Sequence, residues 1–451
     1  MSAADEYIEK NRDRFIEELA ELCSFPSIAN QGAEGIRACR DWLGERLGRF
    51  GERVETLEAG GMPSLYAELP GTGRKSVLLY QHYDVQPVEP LGLWHSPPFE
   101  PAVRDGRLFA RGACDDKSDV MARLQAVETL EAVHGELPLT LRFLIEGEEE
   151  TGSMTFDRIV EDNAGKLRAD GCIWEAASFN NRGRPEVIFG CRGLLYLQLK
   201  VSLLNFDQHS SLASLFPSAP NLLVHALASL VDQDQRVAIA GFYDDVVAAN
   251  EDDRRVMASI DPELEEGRRL IGFDRLVGEP PPDRMIEQLL FTPTCNIDGI
   301  TTGYQGPGSM TVLPASATAK VDFRLVPRQD PADIQAKLRR HLDSHGFEKV
   351  EFEWPELEKP SRSPIDSFLG RTVLETEEEL FGQPPAVWPF GAGTGPMHPI
   401  AEGLGVAIVG PTGAGRPDSR LHAPNENVRL DDYIESIRLT VRILERFGAG
   451  Q

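Results

Sequence analysis

Residues 76–87 read Ser-Val-Leu-Leu-Tyr-Gln-His-Tyr-Asp-Val-Gln-Pro. A short apolar run followed at once by polar residues reads as a buried strand ending on His82 and Asp84. The same figure recurs along the chain. Residues 139–145 (LTLRFLI) run into Glu148, Glu149 and Glu150, and residues 172–174 (CIW) end at Glu175. A weaker run, 108–110 (LFA), leads to Asp115 and Asp116. The run 406–409 (VAIV) passes through a Gly/Pro loop to His422. Helical patterns such as 119–133 alternate with these runs, which predicts an α/β sheet. Ligands of such sheets collect outside the carboxyl ends of the strands. Histidines and acids at that end of five separate segments predict a site there.

Residues 7–22 put Ile8, Phe15, Ile16, Leu19 and Leu22 on one helical face, and Pro26 stops that helix. A second helix is expected over 34–47. The texture changes near 190 and returns near 360. Between those points strands are expected at 194–201 and 317–326, helices at 221–231 and 331–345, and a half-buried strand at 349–354 (KVEFEW). Two β-α-β units of this kind predict a small α+β sandwich, ferredoxin-like. The acidic, Pro-rich stretch 243–290 reads as a solvated excursion.

A chain of 451 residues exceeds one hydrophobic core, so two or more domains are expected. The formal charge of −26 repels phosphate backbones and anionic lipid surfaces, which excludes nucleic acid and membrane as main partners. No apolar stretch approaches a spanning length, and the opening MSAADEYIEKNRDRF is too polar for a secretion signal. The six cysteines form no C-x-x-C pair, so neither a disulfide framework nor a zinc ribbon is expected. A reducing cytoplasm is the expected location.

The candidate residues each have a bland alternative. His82 and Asp84 point the same way on an extended chain, so the acid can orient the imidazole for a metal; the alternative is a satisfied histidine at a strand end. Asp115 and Asp116 stand where acids also decorate helix N-termini. The acidic run 148–150 can be a solvated loop, yet it directly follows core residues. Two adjacent carboxylates there can divide labour, one binding a cation and the other moving a proton. Glu175 alone reads as an ordinary strand-end acid. Together, two histidines and several carboxylates form a mixed N/O set. It suits a pair of divalent ions, zinc foremost, with manganese or cobalt as alternatives. There is no G-x-S-x-G and no H-E-x-x-H. The stretch 71–75 (GTGRK) precedes a strand and reads as a turn rather than a phosphate loop. Cys114 is a weak candidate nucleophile.

HYDVQP, RGACDDKS, EGEEETGS, DQHSS, FRLVPRQ and HAPNE occur in this order. With these six motifs the chain resembles the dinuclear-zinc metallopeptidases: carnosinases and other dipeptidases, aminoacylases, glutamate carboxypeptidases and succinyl-diaminopimelate desuccinylases. The resemblance implies metal ligands at His82, Asp115, Glu150, Glu175 and His422, with Asp115 bridging two ions. It implies that Asp84 orients His82, that Glu149 is the general base, and that Glu148 fills a variable position. Glu175 stands where dipeptidases often carry Asp and aminoacylases Glu. His209 resembles an oxyanion-stabilising histidine, with Ser211 where Gly is usual. Arg324 and the loop Gly393-Thr394-Gly395 resemble a carboxylate-binding site. The implied architecture is an α/β catalytic domain with a mixed central sheet flanked by helices, formed by 1–190 and 361–451. A ferredoxin-like α+β lid, 191–360, is inserted and serves dimerisation.

The implied activity is an exopeptidase acting on dipeptides or small peptides with a free carboxylate. The alternative at the same dinuclear site is an N-acyl-amino-acid hydrolase of aminoacylase or desuccinylase type. A non-catalytic peptide binder and a Cys114 hydrolase are the competing classes. A homodimer through the lid is expected.

Overall fold

The computed structural model describes residues 2–51 and 53–450. The chain divides into two compact units. Unit 1 comprises residues 1–190, 362–389 and 396–451; unit 2 comprises 191–361 and 390–395. The loop Phe390–Gly395 therefore belongs with unit 2, although the sequence returns to unit 1 at 362.

Unit 1 is an α/β body around a six-stranded mixed sheet. Its order is Arg53–Leu57, Ser64–Leu69, Thr140–Glu146, Ser76–His82, Cys172–Ile173, Ile408–Val409. The first two pairings are antiparallel and the last three parallel. The register sets His82 opposite Glu146, so these two strands end level, and Leu79 opposite Ile173, so the chain just past Ile173 runs beside the end of the His82 strand.

The weak run 108–110 does not join this sheet. Arg107–Phe109 pairs instead with Ala102–Arg104 and Asn427–Arg429 in a three-stranded antiparallel sheet. That pairing sets Asn427 opposite Phe109 and lays the Asp115 turn beside the His422 loop.

Helix Lys117–His134 is buried along most of its length and packs against Leu430–Ala449. Val120, Leu124, Val127, Ile437, Val441 and Leu444 share one core. Each such side chain contributes about 1.5–3 kcal/mol by leaving water. The expected helix over 7–22 is two helices, Ala3–Lys10 and Arg12–Cys23. Asn11 breaks them, its side-chain amide turned back to the Tyr7 carbonyl at 2.8 Å.

Unit 2 carries a four-stranded antiparallel sheet in the order Thr294–Thr302, Ser316–Leu325, Gly193–Ser202, Val350–Glu358. With helices Ala219–Leu230 and Pro331–Ser344 this is the ferredoxin-like arrangement. Alternate residues Leu195, Leu197, Leu199 and Val201 enter its core. Asp330 caps the second helix, accepting from the Ala332 and Asp333 amides, with Pro331 at its first position. Thr294–Thr302 went unread in the sequence because it is largely exposed and its register shifts between Ile297 and Gly299. The 243–290 excursion holds three short helices, Glu251–Met257, Leu264–Ile271 and Met285–Phe291.

Candidate metal centre

The centre lies at the carboxyl ends of the parallel strands of unit 1. Asp115 stands between two histidines. Its Oδ1 is 3.0 Å from His82 Nε2, and its Oδ2 is 2.9 Å from His422 Nε2. Glu150 Oε2 lies 3.3 Å from the same His422 nitrogen. Among the described residues, donor atoms of Asp115, Glu150 and His422 fall within 4.8 Å of one another.

His82 is buried at the end of its strand, and its Nδ1 lies 3.1 Å from the Asp84 backbone carbonyl. The Asp84 carboxylate, expected to hold that nitrogen, is farther, at 3.5 Å. Its oxygens accept instead from the amides of Glu149 (3.2 Å) and Glu150 (3.0 Å). Asp84 thus joins the His82 strand end to the turn that carries Glu149 and Glu150.

The sequence named two residues of this scaffold without revealing their roles. Glu148 is buried and pins the turn: Oε2 accepts from Met62 N (2.8 Å), and Oε1 from Thr155 N (2.7 Å) and the Thr155 hydroxyl. A Cβ on Gly61 would sit 2.0 Å from Glu148 Oε2, so any other residue there would push the Glu148 carboxylate off its present place. Glu426, fully buried, accepts from Cys114 N (2.9 Å) and Asp115 N (3.0 Å) on Oε1. Its Oε2 accepts from Gly112 N (3.0 Å) and Arg111 Nη1 (2.7 Å). The loop bearing His422 thereby holds the turn bearing Asp115. In that loop His422 itself has φ 58°, a left-handed conformation that histidine adopts more readily than most residues. Glu148 does not differ in type from Glu149 and Glu150, and Glu426 is a lone acid in a polar loop; only the backbone amides around each reveal its role.

The electrostatics fit cations. Burial, then the neighbouring Glu175, holds the Glu149 carboxyl well above its usual range. Burial and Asp115 push Glu150 up to about 7, and burial raises Glu175 likewise to about 7. Glu175 Oε1 is buried without a hydrogen-bond partner. Asp115 is shifted the other way: burial opposes ionisation, but His422 and His82 outweigh it. Crowded carboxylates, an orphaned acid oxygen and two imidazoles are a donor set for hard or borderline divalent ions. Cys114 is no competitor, since burial holds its thiol well above its ordinary pKa and thiolate is the reactive form.

The remaining predicted residues lie in unit 2. His209 is exposed, and its Nδ1 accepts from Ser211 N (3.2 Å), with Ser211 Oγ at 2.8 Å. A backbone amide can only donate, so the neutral ring carries its proton on Nε2, beside Thr311 Oγ1 at 3.3 Å. Arg324 donates from Nη1 to Thr394 Oγ1 at 2.7 Å. The Gly393 carbonyl accepts from Arg192 N at 2.9 Å.

Residues 78–446 match the model of peptidase family M20/M25/M40. The chain belongs to this family. It is a metal-dependent peptidase. Over 474 residues it is 26% identical to a Beta-Ala-His dipeptidase of Rattus norvegicus, covering 99% of this chain and 96% of that protein. A Cys-Gly metallodipeptidase of Schizosaccharomyces pombe is 25% identical over 457 residues, covering 96% and 95%. Among solved structures, an M20 family metallo-carboxypeptidase from Sulfolobus solfataricus superposes with a TM-score of 0.92 at 38% identity, covering 96% of this chain and 99% of that one.

Proposed function

We propose that this M20 peptidase hydrolyses the amide bond of dipeptides or short peptides that end in a free carboxylate. The observation that carries this is Asp115, with one oxygen directed to His82 and the other to His422. The relatives, two of them named for dipeptides and one for carboxypeptidase action, support the substrate class.

His82, Glu175 and Asp115 would hold one ion, and Asp115, Glu150 and His422 the other. When bound, two such ions supply the Lewis acidity that lowers the pKa of a water and polarises a carbonyl. Glu149 takes the proton of the attacking water and passes it to the departing amine. Asp84 aims Glu149 and Glu150 through their amides. His209 donates from Nε2 to the oxyanion. Arg324, with Gly393, Thr394 and Gly395, takes the substrate carboxylate.

The same reading includes zinc as the metal, assembly as a homodimer through the inserted unit, and a cytoplasmic location. Among the described residues no cysteine forms a disulfide, which supports a reducing compartment. Among the described residues no helix is long and apolar enough to cross a membrane.

Replacing Glu149 by Gln tests the mechanism. Turnover should fall by a factor on the order of 100–10,000, with metal content near that of the parent. Undiminished turnover would sink the assignment. A panel of dipeptides against N-acetyl and N-succinyl amino acids separates peptidase from acylase action.

A further inference from the structure

Arg192 precedes the strand Gly193–Ser202 of unit 2 and is 4% exposed. Its Nη1 donates to the Leu289 carbonyl (3.0 Å), and its Nη2 to the carbonyls of Thr292 (2.8 Å) and Arg324 (2.8 Å). Its own amide donates to the Gly393 carbonyl. One residue thus ties three pieces into a single body: its side chain holds the end of helix Met285–Phe291 and the Arg324 backbone, and its amide holds the Gly393–Thr394 turn. Every acceptor it touches is a carbonyl. Among the described residues it forms no ion pair, and its Nε is buried without a partner. Burial and the neighbouring Arg324 push its pKa down to about 10, as expected of a guanidinium whose charge is incompletely compensated. Asp322 is the acid that both arginines feel: it lies 3.6 Å from Arg324 Nε and is drawn also to Asn296 at 3.1 Å. An ordinary buried arginine is paired with a carboxylate. This one leaves positive charge stored behind the groups that face a ligand.

We propose that Arg192 is a positioning residue of the carboxylate site. It fixes Arg324 and the 393–394 turn in one arrangement and keeps that site cationic, so the enzyme selects substrates with a free terminal carboxylate over their amides. This rests on the reading of Arg324 given above.

The test compares kcat/KM for a dipeptide and for its C-terminal amide in four proteins: the parent, Arg324→Met, Arg192→Gln and Arg192→Lys. The parent should favour the free acid, and Arg324→Met should lose that preference. Arg192→Gln ends near the position of Nε, short of the three carbonyls, and has no charge; its acid-to-amide ratio should fall by about tenfold or more. Arg192→Lys keeps the charge without the fork and should fall between. The loss should fall mainly on KM for the acid. Equal losses for acid and amide, or an unchanged ratio in both Arg192 variants while Arg324→Met loses it, overturn the role of Arg192 alone. A parent without preference, or an unchanged ratio in Arg324→Met, overturns the reading of Arg324 instead. Should Arg192→Gln not fold, the Lys variant decides: a parental ratio in it, with melting like the parent, counts against the proposal.

Discussion

Glu377 shows how one buried carboxyl carries a pH dependence. Thr412 Oγ1 has a single proton and donates it to the Glu186 carbonyl at 2.9 Å. Glu377 Oε2 is 2.8 Å from that same hydroxyl, so this carboxyl supplies the proton between them, while Oε1 accepts from Thr412 N at 2.7 Å. Burial pushes its pKa up to about 8. An unfolded Glu ionises near 4.5. Between those two values the folded chain keeps a proton the unfolded chain has lost, so stability falls as pH rises through this window and levels off above it. Glu377→Gln supplies the same donor without titrating. Its stability relative to the parent should climb by up to about 1.4 kcal/mol per pH unit across the window, read by urea unfolding at pH 5 and pH 8. Parallel curves would contradict this. At the same scale, Ser211→Ala removes the hydroxyl at His209 Nδ1 but keeps the amide. Turnover should fall only a few-fold, about 1 kcal/mol for one hydrogen bond. His209→Ala should cost far more, and kcat measurements on both variants compare them.

Among the elements, the site depends on acids that hold turns. Glu426→Gln puts an NH₂ where four donors now converge, and it leaves Arg111 without its buried anionic partner. Metal affinity should fall about 10–100-fold, measured by equilibrium dialysis with metal analysis. Parental affinity would show that the Asp115 turn holds its place unaided. Glu148→Ala removes the acceptor of the half-buried Met62 and Thr155 amides and should destabilise by about 1 kcal/mol for each bond lost. Spacing made the strand-end histidines and acids readable, because apolar runs must stop where polar side chains begin. It could not separate Glu148 from Glu149 and Glu150, which share type and exposure in sequence. It also assigned the 108–110 run to the wrong sheet, since three residues carry too little pattern to choose a partner.

For the whole molecule, metal removal should act on stability as well as turnover. Ions held by ligands from strand ends far apart in sequence bind the folded chain and not the unfolded one. At free metal 100 times Kd they stabilise by about 2.7 kcal/mol per site. Chelation should therefore lower the denaturation midpoint, and returning zinc or manganese should restore it; an unchanged midpoint would place the ligands elsewhere.

By itself, the sequence determined the alternation of buried strands and helices, the insertion of a differently textured middle, and the residue types available for cation chemistry. These follow from local periodicity and composition, which need no knowledge of distant neighbours. Only the tertiary structure decided that Asp115 takes a different histidine on each oxygen. It alone placed the Arg107–Phe109 strand beside Asn427–Arg429, sent Phe390–Gly395 into unit 2, and set Glu426 and Arg192 to hold turns hundreds of residues away or across a strand. Those outcomes depend on which backbone amides and carbonyls are left unpaired after burial, and that is settled only when the chain has packed.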